Sequence, residues 1–494
     1  MNMPKYLLEI AVFLCGAVVM IFELIGSRIL GPYFGNSIFV WTSLIGIILG
    51  SLSLGYYFGG KISDKNPNLQ NFSLIIFISA IFIGITTLIK DNLMSILEQN
   101  LTDLKISSVI SSTILFAPAS LLLGMISPYA AKLKINSLNN SGSTIGNLYA
   151  ISTAGSIVGT FISGFYLIPK FGTNKLLIIL ILTLTLTSLL TSKKFLKIKF
   201  FTLMSSIFIW AIINQLQIIA QRNNFIDIDT TYNRVFIFDK FQKDTGKTIR
   251  TLAINRDLNS AIVLGSEEIL YNYIKFYHLA KFLNPNFQNT LMLGGGGFSF
   301  PKNFLATYPK ATMDVVEIDP TIIELAKKYF NLKSDPRLNI YDEDGRIFLN
   351  KNQKKYDVIF GDAFGSHFSI PYQLTTKEAV QKEFDALTDN GSVILNIISA
   401  INGPKGEFLR AEVATYKSIF PQVYIFPVSE NKNGEIVQNI ILVATKSSKL
   451  NDFHGLKFDN IRFADYLWKQ IIPNDMPILT DDYSPVEYYI NKAA

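Results

Sequence analysis

The pattern of apolar and polar positions divides the chain near residue 221. Residues 5–220 are filled by long, nearly uncharged runs, predicting membrane spans near 7–30, 38–59, 72–90, 106–128, 145–168, 174–192 and 199–219. Each holds roughly 20 apolar-dominated residues, the length that a bilayer core requires of a helix. Helices buried in a large soluble core are the competing explanation, and so many runs in succession argue against it. Small residues in "GSLSLGYYFGG" and "ISTAGSIVGTFISG" predict close helix approach. From Arg222 onward charged residues return, and short period-2 segments alternate with helical ones.

The second half reads in two parts. Residues 222–283 predict a small β domain with a linking helix: "RVFIFDK", "TIRTLAI" and "SAIVLG" alternate as strands, and "SEEILYNYIKFYHLAKFL" follows as one helical stretch. Residues 284–494 then alternate strand and helix. The strands are "TLML", "MDVVEI", "RLNIY", "YDVIFGD" and "GSVILNII"; the helices are "PKNFLATY", "PTIIELAKKYF", "RIFLNK" and "TTKEAVQKEFDAL". That order predicts a doubly wound parallel sheet. "VYIFPVS" and "VQNIILVAT" flank the turn "ENKNGE" as an antiparallel hairpin, which nicotinamide-binding sheets usually lack.

Composition agrees with a chain living in two solvents: 49% of residues are hydrophobic and only 17% charged. The net charge of +7 lies largely in short loops between apolar runs, so it reads as membrane-topology charge and not as a nucleic-acid surface. The single cysteine, Cys15, excludes an intrachain disulfide, and CxxC metal spacing is absent. The first apolar run leads straight into "FELIGSRIL", without the cleavage pattern of a removed leader.

Orientation carries a conflict. With seven spans, the N-terminal side holds Lys5, Lys61, Lys65, Lys132, Lys134, Lys193, Lys194, Lys197 and Lys199, against Lys90, Lys105, Lys170, Lys175 and Arg222 opposite. The positive-inside rule then puts the second half outside, whereas a domain using a cytosolic metabolite belongs in the cytoplasm. The metabolite argument is given the greater weight.

The chemistry gathers around "LMLGGGGFSFP". Gly294, Gly295, Gly296 and Gly297 occupy the first strand-to-helix turn, where ligands sit in such sheets, and they admit close approach to bare main chain. Ser299 is expected to cap the helix and Pro301 to sit in its first turn. Glu317 ends the second strand, twenty residues past Gly297, placed to accept from ribose hydroxyls. Asp344 follows the third strand, within reach of an adenine amino group, and Asp362 closes the fourth. Acids at three successive strand ends fit a cationic nucleoside better than a pyrophosphate, which Asp362 would repel. The alternative is that each acid merely caps the helix after it.

Taken together, "LGGGGFSFP", "VVEIDP", "YDVIFGDAF", "YQLTTKE" and "LTDDYSPVEYY" resemble the spermidine synthase (polyamine aminopropyltransferase) family over roughly 225–490. The resemblance is nearest to its membrane-fused branch, whose helices precede the enzyme domain; "FELIGSRILGPYFG" and "GNLYAISTAGSIVG" also look like that branch. Part of "LGYYFGGKISDK" resembles a major-facilitator transporter loop. The resemblance implies a Rossmann-like, methyltransferase-type sheet of seven strands, a small N-terminal β domain and often a homodimer. It implies no prosthetic group. Decarboxylated S-adenosylmethionine would be co-substrate, a small amine such as putrescine the acceptor and methylthioadenosine the product. By position, Gly294 to Gly296 would line the nucleoside, Glu317 hold the ribose, Asp344 meet the adenine edge and Asp362 accept the amine's proton. Tyr232 and Tyr271 fall where the family has aromatic residues near substrate.

The departures thin the amine side. Soluble members carry acids where this chain has Gly297 and Gly365, a Gln at Asn233 and a His at Asn272. His367 could supply some of the missing polarity, or be a solvated loop residue; Asp481 and Asp482 could approach the site or stabilise the terminal turn. Intact S-adenosylmethionine therefore stays open as donor, which would make the protein a methyltransferase. Glu23, deep in the first span with Arg28 beyond it, keeps open a transporter or sensor with a nucleoside-binding domain, or a structural ion pair.

Overall fold

The computed structural model describes residues 6–35, 37–101, 103–135, 141–222, 224–255, 257–266, 268–363, 370–429 and 433–492. The chain separates into two compact units, Met1–Val235 and Phe236–Ala494.

The first unit holds seven helices long and apolar enough to cross a membrane: Leu7–Phe34, Ile38–Lys65, Leu69–Asn100, Leu104–Lys134, Ser141–Leu167, Lys170–Thr191 and Leu196–Ala220. Each expected span falls on one of them. The small residues mark where backbones touch. A Cβ on Gly159 would stand 2.6 Å from the Ala17 carbonyl oxygen, and one on Gly124 would stand 2.6 Å from that of Leu52. Such close approach lets the helix backbones pack by van der Waals contact. The sixth helix kinks at Gly172 (φ 72°), and the Thr173 N–H just after the kink donates to Asp229 Oδ2 at 2.6 Å. Glu23 is half-buried in the first helix, while the Arg28 guanidinium donates to the Thr231 carbonyl.

In the second unit, Lys247–Ile254 and Asp257–Val263 pair as an antiparallel hairpin. The stretch expected as one helix breaks into Asn272–Phe276, a 3-10 turn Tyr277–Leu279 and Ala280–Leu283. Its aromatic side chains are buried in several directions, with Phe276 against Phe463 and Tyr466 and Tyr277 against Phe300 and Phe360. No single amphipathic stripe is available to hold a regular helix.

The large sheet has seven strands, here β1 (Asn289–Leu293), β2 (Thr312–Glu317), β3 (Leu338–Asp342), β4 (Tyr356–Gly361), β5 (Leu387–Ser399), β6 (Gln422–Pro427) and β7 (Gln438–Thr445). Their spatial order is β6-β7-β5-β4-β1-β2-β3. β1 to β5 run parallel, whereas β7 is antiparallel to both β5 and β6. The sheet is therefore mixed and not wholly parallel. Alternate residues enter two cores: Leu291, Leu293, Val393 and Leu395 on one face, Met292, Val315 and Ile394 on the other. Burial on both faces explains the near-continuous apolar strands. The crossover helices are α1 (Ser299–Thr307), α2 (Pro320–Tyr329), α3 (Gly345–Lys351), α4 (Lys377–Ala386) and α5 (Glu407–Lys417). The last was not expected from the sequence.

Candidate active site

Strand order reverses between β1 and β4, and the crevice at their carboxyl ends is where open sheets of this kind bind ligands. The register puts Leu293 opposite Gly361, and Gly361 opposite Leu395. The next residues, Gly294, Asp362 and Asn396, therefore meet at one edge. Asp362 N–H donates to the Leu293 carbonyl at 2.8 Å, and Gly294 N–H to that of Val316 at 2.9 Å.

The chain's own packing demands most of the glycine run. Gly294 has φ +93°, and a Cβ there would lie 2.7 Å from the Asp362 carbonyl oxygen. A Cβ on Gly295 would lie 2.7 Å from the Phe298 ring, and one on Gly297 would lie 2.7 Å from the Ser260 Cβ. Among the described residues, a Cβ on Gly296, at φ +48°, would meet only the Ser260 hydroxyl, at 3.1 Å. Phe298, fully buried at φ 56°, occupies the N-cap of α1, which has no side-chain cap. Ser299 is thus the first helical residue and not its cap, with Pro301 in the first turn as expected.

Glu317 does not cap a helix. Its Oε2 accepts from the Gly295 and Gly296 amides at 2.9 and 3.0 Å, and Oε1 accepts from Asp319 N–H at 3.1 Å. Burial pushes its carboxyl above the ordinary value, against the pull of those amides. Asp319 is the residue that caps α2, accepting from Thr321 N–H at 3.0 Å. Asp344 does cap α3, its Oδ1 accepting from Arg346 and Ile347 amides at 2.9 and 3.0 Å, while Gln373 donates to its Oδ2 at 3.2 Å.

Asp362 is half-buried. Tyr273 hydroxyl donates to its Oδ2 at 3.2 Å and Asn396 Nδ2 to its Oδ1 at 3.2 Å. Burial raises its carboxyl to about 6, although Asn396, Tyr277 and Tyr273 all favour the charged form. Tyr277, fully buried, donates to the Gly361 carbonyl at 3.3 Å. Tyr271 stacks on Tyr273 with ring centroids 6.1 Å apart.

The remaining expected residues are scattered. Tyr232 is exposed and belongs to the first unit. Gly365 and His367 lie outside the described residues. Asp481 accepts from Arg346 and from the Thr376 hydroxyl, each at 2.7 Å, so it ties the terminal turn to α3 and α4. Asp482 is exposed in a turn closed by Thr480 and Tyr483. Sequence reasoning missed Ser260, Tyr273, Tyr277, Gln373 and Asn396. A signal existed for Asn396, a polar residue inside the apolar run "SVILNIIS" of a strand buried on both faces.

Comparison with known proteins bears on the same stretch. Residues 272–443 match the model of the spermine/spermidine synthase domain. A polyamine aminopropyltransferase of Vibrio vulnificus (strain CMCP6) is 27% identical over 178 residues, 35% of this chain and 58% of its own length. An eEF1A lysine and N-terminal methyltransferase of Xenopus laevis is 28% identical over 155 residues, 29% of this chain and 22% of its own. A crystal structure of a probable spermidine synthase from Corynebacterium glutamicum ATCC 13032 aligns at 23% identity and a TM-score of 0.38, covering 43% of this chain and 77% of that one. The chain spans less than two thirds of the length of the curated relatives it matches. Tyr273, Tyr277, Gly294, Glu317, Asp362 and Asn396 all fall inside the matched residues; Ser260 and Tyr271 precede them.

Proposed function

We propose, from the match of residues 272–443 to the spermine/spermidine synthase domain, that this protein is a membrane-integral aminopropyltransferase. It moves an aminopropyl group from decarboxylated S-adenosylmethionine to a small amine such as putrescine. The amine's lone pair forms a bond to the aminopropyl carbon, and the carbon–sulfur bond breaks. Sulfur keeps that electron pair and leaves as neutral methylthioadenosine. The surplus proton on nitrogen passes to Asp362.

The observation that carries this reading is Asp362 itself. It is a carboxylate at the end of β4, raised to about 6 by burial, beside a glycine turn at the strand-order switch. An amine attacks only when deprotonated, so a positioned base of that strength suits the task near neutral pH. A sulfonium is already a good leaving group, so alignment of amine, carbon and sulfur supplies much of the rest. In this reading Glu317 keeps the loop amides and offers its remaining lone pairs to the ribose. The adenine edge takes the place of Gln373 at Asp344 Oδ2. Tyr271 flanks the amine. The second unit lies in the cytoplasm with its donor, and a homodimer is the expected assembly.

A methyltransferase is the second reading, favoured by one observation. Gly297 is closed to a side chain by Ser260, so no acid at that position can hold the donor's amine. The test is mass spectrometry of the nucleoside released by the purified full chain, given either donor and a panel of amines. Methylthioadenosine supports aminopropyl transfer; S-adenosylhomocysteine replaces it with methyl transfer.

A further inference from the structure

Asp362 is gripped from two separate elements. Tyr273, on the short helix Asn272–Phe276, donates to one carboxylate oxygen, and Asn396, on β5, donates to the other, each at 3.2 Å. Because Nδ2 must face the carboxylate, the orientation of the Asn396 amide is fixed by its own hydrogen bond. Its Oδ1 is then buried with no partner among the described residues, in a residue only 2% exposed. Tyr277 backs the pair, its ring edge-on to Tyr273 at 6.0 Å and its hydroxyl on the carbonyl of Gly361, the residue before Asp362.

We propose that Tyr273 and Asn396 are positioning residues for the acceptor amine: together they hold the plane of the Asp362 carboxylate so that its free lone pairs meet the amine N–H. The buried Asn396 Oδ1 offers a further acceptor for a second N–H of the same ammonium. This deepens the aminopropyl-transfer reading and rests on it.

Two donors on one carboxylate leave one lone-pair direction on each oxygen, a geometry in which a bound ammonium has little freedom to turn. Donation also favours the charged carboxylate, opposing the burial that raises it. Among the described residues, the groups that favour the charged form of Asp362 are Tyr273 and Tyr277 from the helical segments and Asn396 from β5. Removing a donor should therefore weaken Asp362 as an acid and shift the pH at which it can take a proton.

The experiment is the pH profile of kcat/KM for the amine in wild type, Tyr273→Phe and Asn396→Ser, on the full chain with decarboxylated S-adenosylmethionine saturating. Loss of a hydrogen bond to a charged group should move the acid limb upward by roughly one pH unit. It should also lower kcat about tenfold or more while leaving the KM for the donor unchanged. Wild-type turnover with an unmoved limb in both variants overturns the positioning role alone. No alkylated amine from wild type overturns the parent reading, and this one with it. Asn396→Ser keeps the test decisive should Tyr273→Phe fold poorly.

Discussion

Gly297 N–H donates to the Ser260 hydroxyl at 2.9 Å, and a Cβ on Gly297 would stand 2.7 Å from the Ser260 Cβ. The strand Asp257–Val263 thus fills from outside the volume that a side chain at 297 would occupy. The resemblance to soluble aminopropyltransferases leads one to expect an acid there, and its loss is coupled to a residue in a different element. Gly297→Ala should cost about 1–3 kcal/mol by overpacking, and Ser260→Gly in the same chain should recover most of it. Thermal unfolding of the detergent-solubilised chain reads this as non-additivity between the two changes. Simple additivity would mean that the two positions do not compete for space.

Gly294 is constrained twice, by φ +93° and by the Asp362 carbonyl 2.7 Å from where a Cβ would stand. Gly294→Ala has to push the Asp362 backbone aside, so catalysis should suffer more than stability. A left-handed alanine costs about 1–2 kcal/mol before any clash. Displacing Asp362 by about an ångström can lower turnover roughly 100-fold. Parallel melting and turnover measurements check this; equal loss in both would show that the substitution acts only through folding.

The seven long helices were legible because each apolar run, such as "GAVVMIFELIGSRIL", has the length that a bilayer core requires. The strand and helix alternation after residue 284 was legible for the corresponding reason of period. What failed was whatever depends on distant partners. Tyr273 and Asn396 reach Asp362 across 89 and 34 positions, and no local pattern announces either contact. The acids divided in a way that spacing could not foretell. Asp344 caps its helix, but beside Glu317 the capping falls to Asp319, freeing Glu317 to turn onto the glycine amides. The aromatic segment 268–283 carries strong apolar character without one face, so its division into short turns came from tertiary packing.

Asp362 should give the reaction an acid limb near pH 6. Its carboxyl is raised to about 6, and only the ionised form can accept the amine's proton. Activity should therefore fall as pH drops through that value, in kcat/KM for the amine. Asp362→Asn should abolish turnover at every pH while nucleoside binding, followed by calorimetry, persists. Retained turnover in the Asn variant would remove Asp362 from proton transfer.

A pair of carboxyls outside the crevice should make the second unit lose stability as pH rises from about 4.5 toward 8. Glu383 on α4 and Glu412 on α5 are both buried, and Tyr416 hydroxyl donates to Glu383 Oε2 at 2.7 Å. Neither oxygen of Glu412 has a hydrogen-bond partner among the described residues. Burial pushes Glu383 up to about 8 and Glu412 well above its ordinary value, the second shift reinforced by Glu383 beside it. Both are therefore held as neutral acids when folded and would ionise in an unfolded chain near the reference value of 4.5. The folded state binds the extra protons, so its stability is full below about pH 4.5 and drains away as pH rises toward 8. Glu412→Gln keeps the shape and removes the titration. It should leave the melting temperature near pH 5 little changed, raise it at pH 8 relative to wild type, and flatten the slope between. Parallel melting curves for the two proteins across that range would mean that the acids are not neutral in the folded chain.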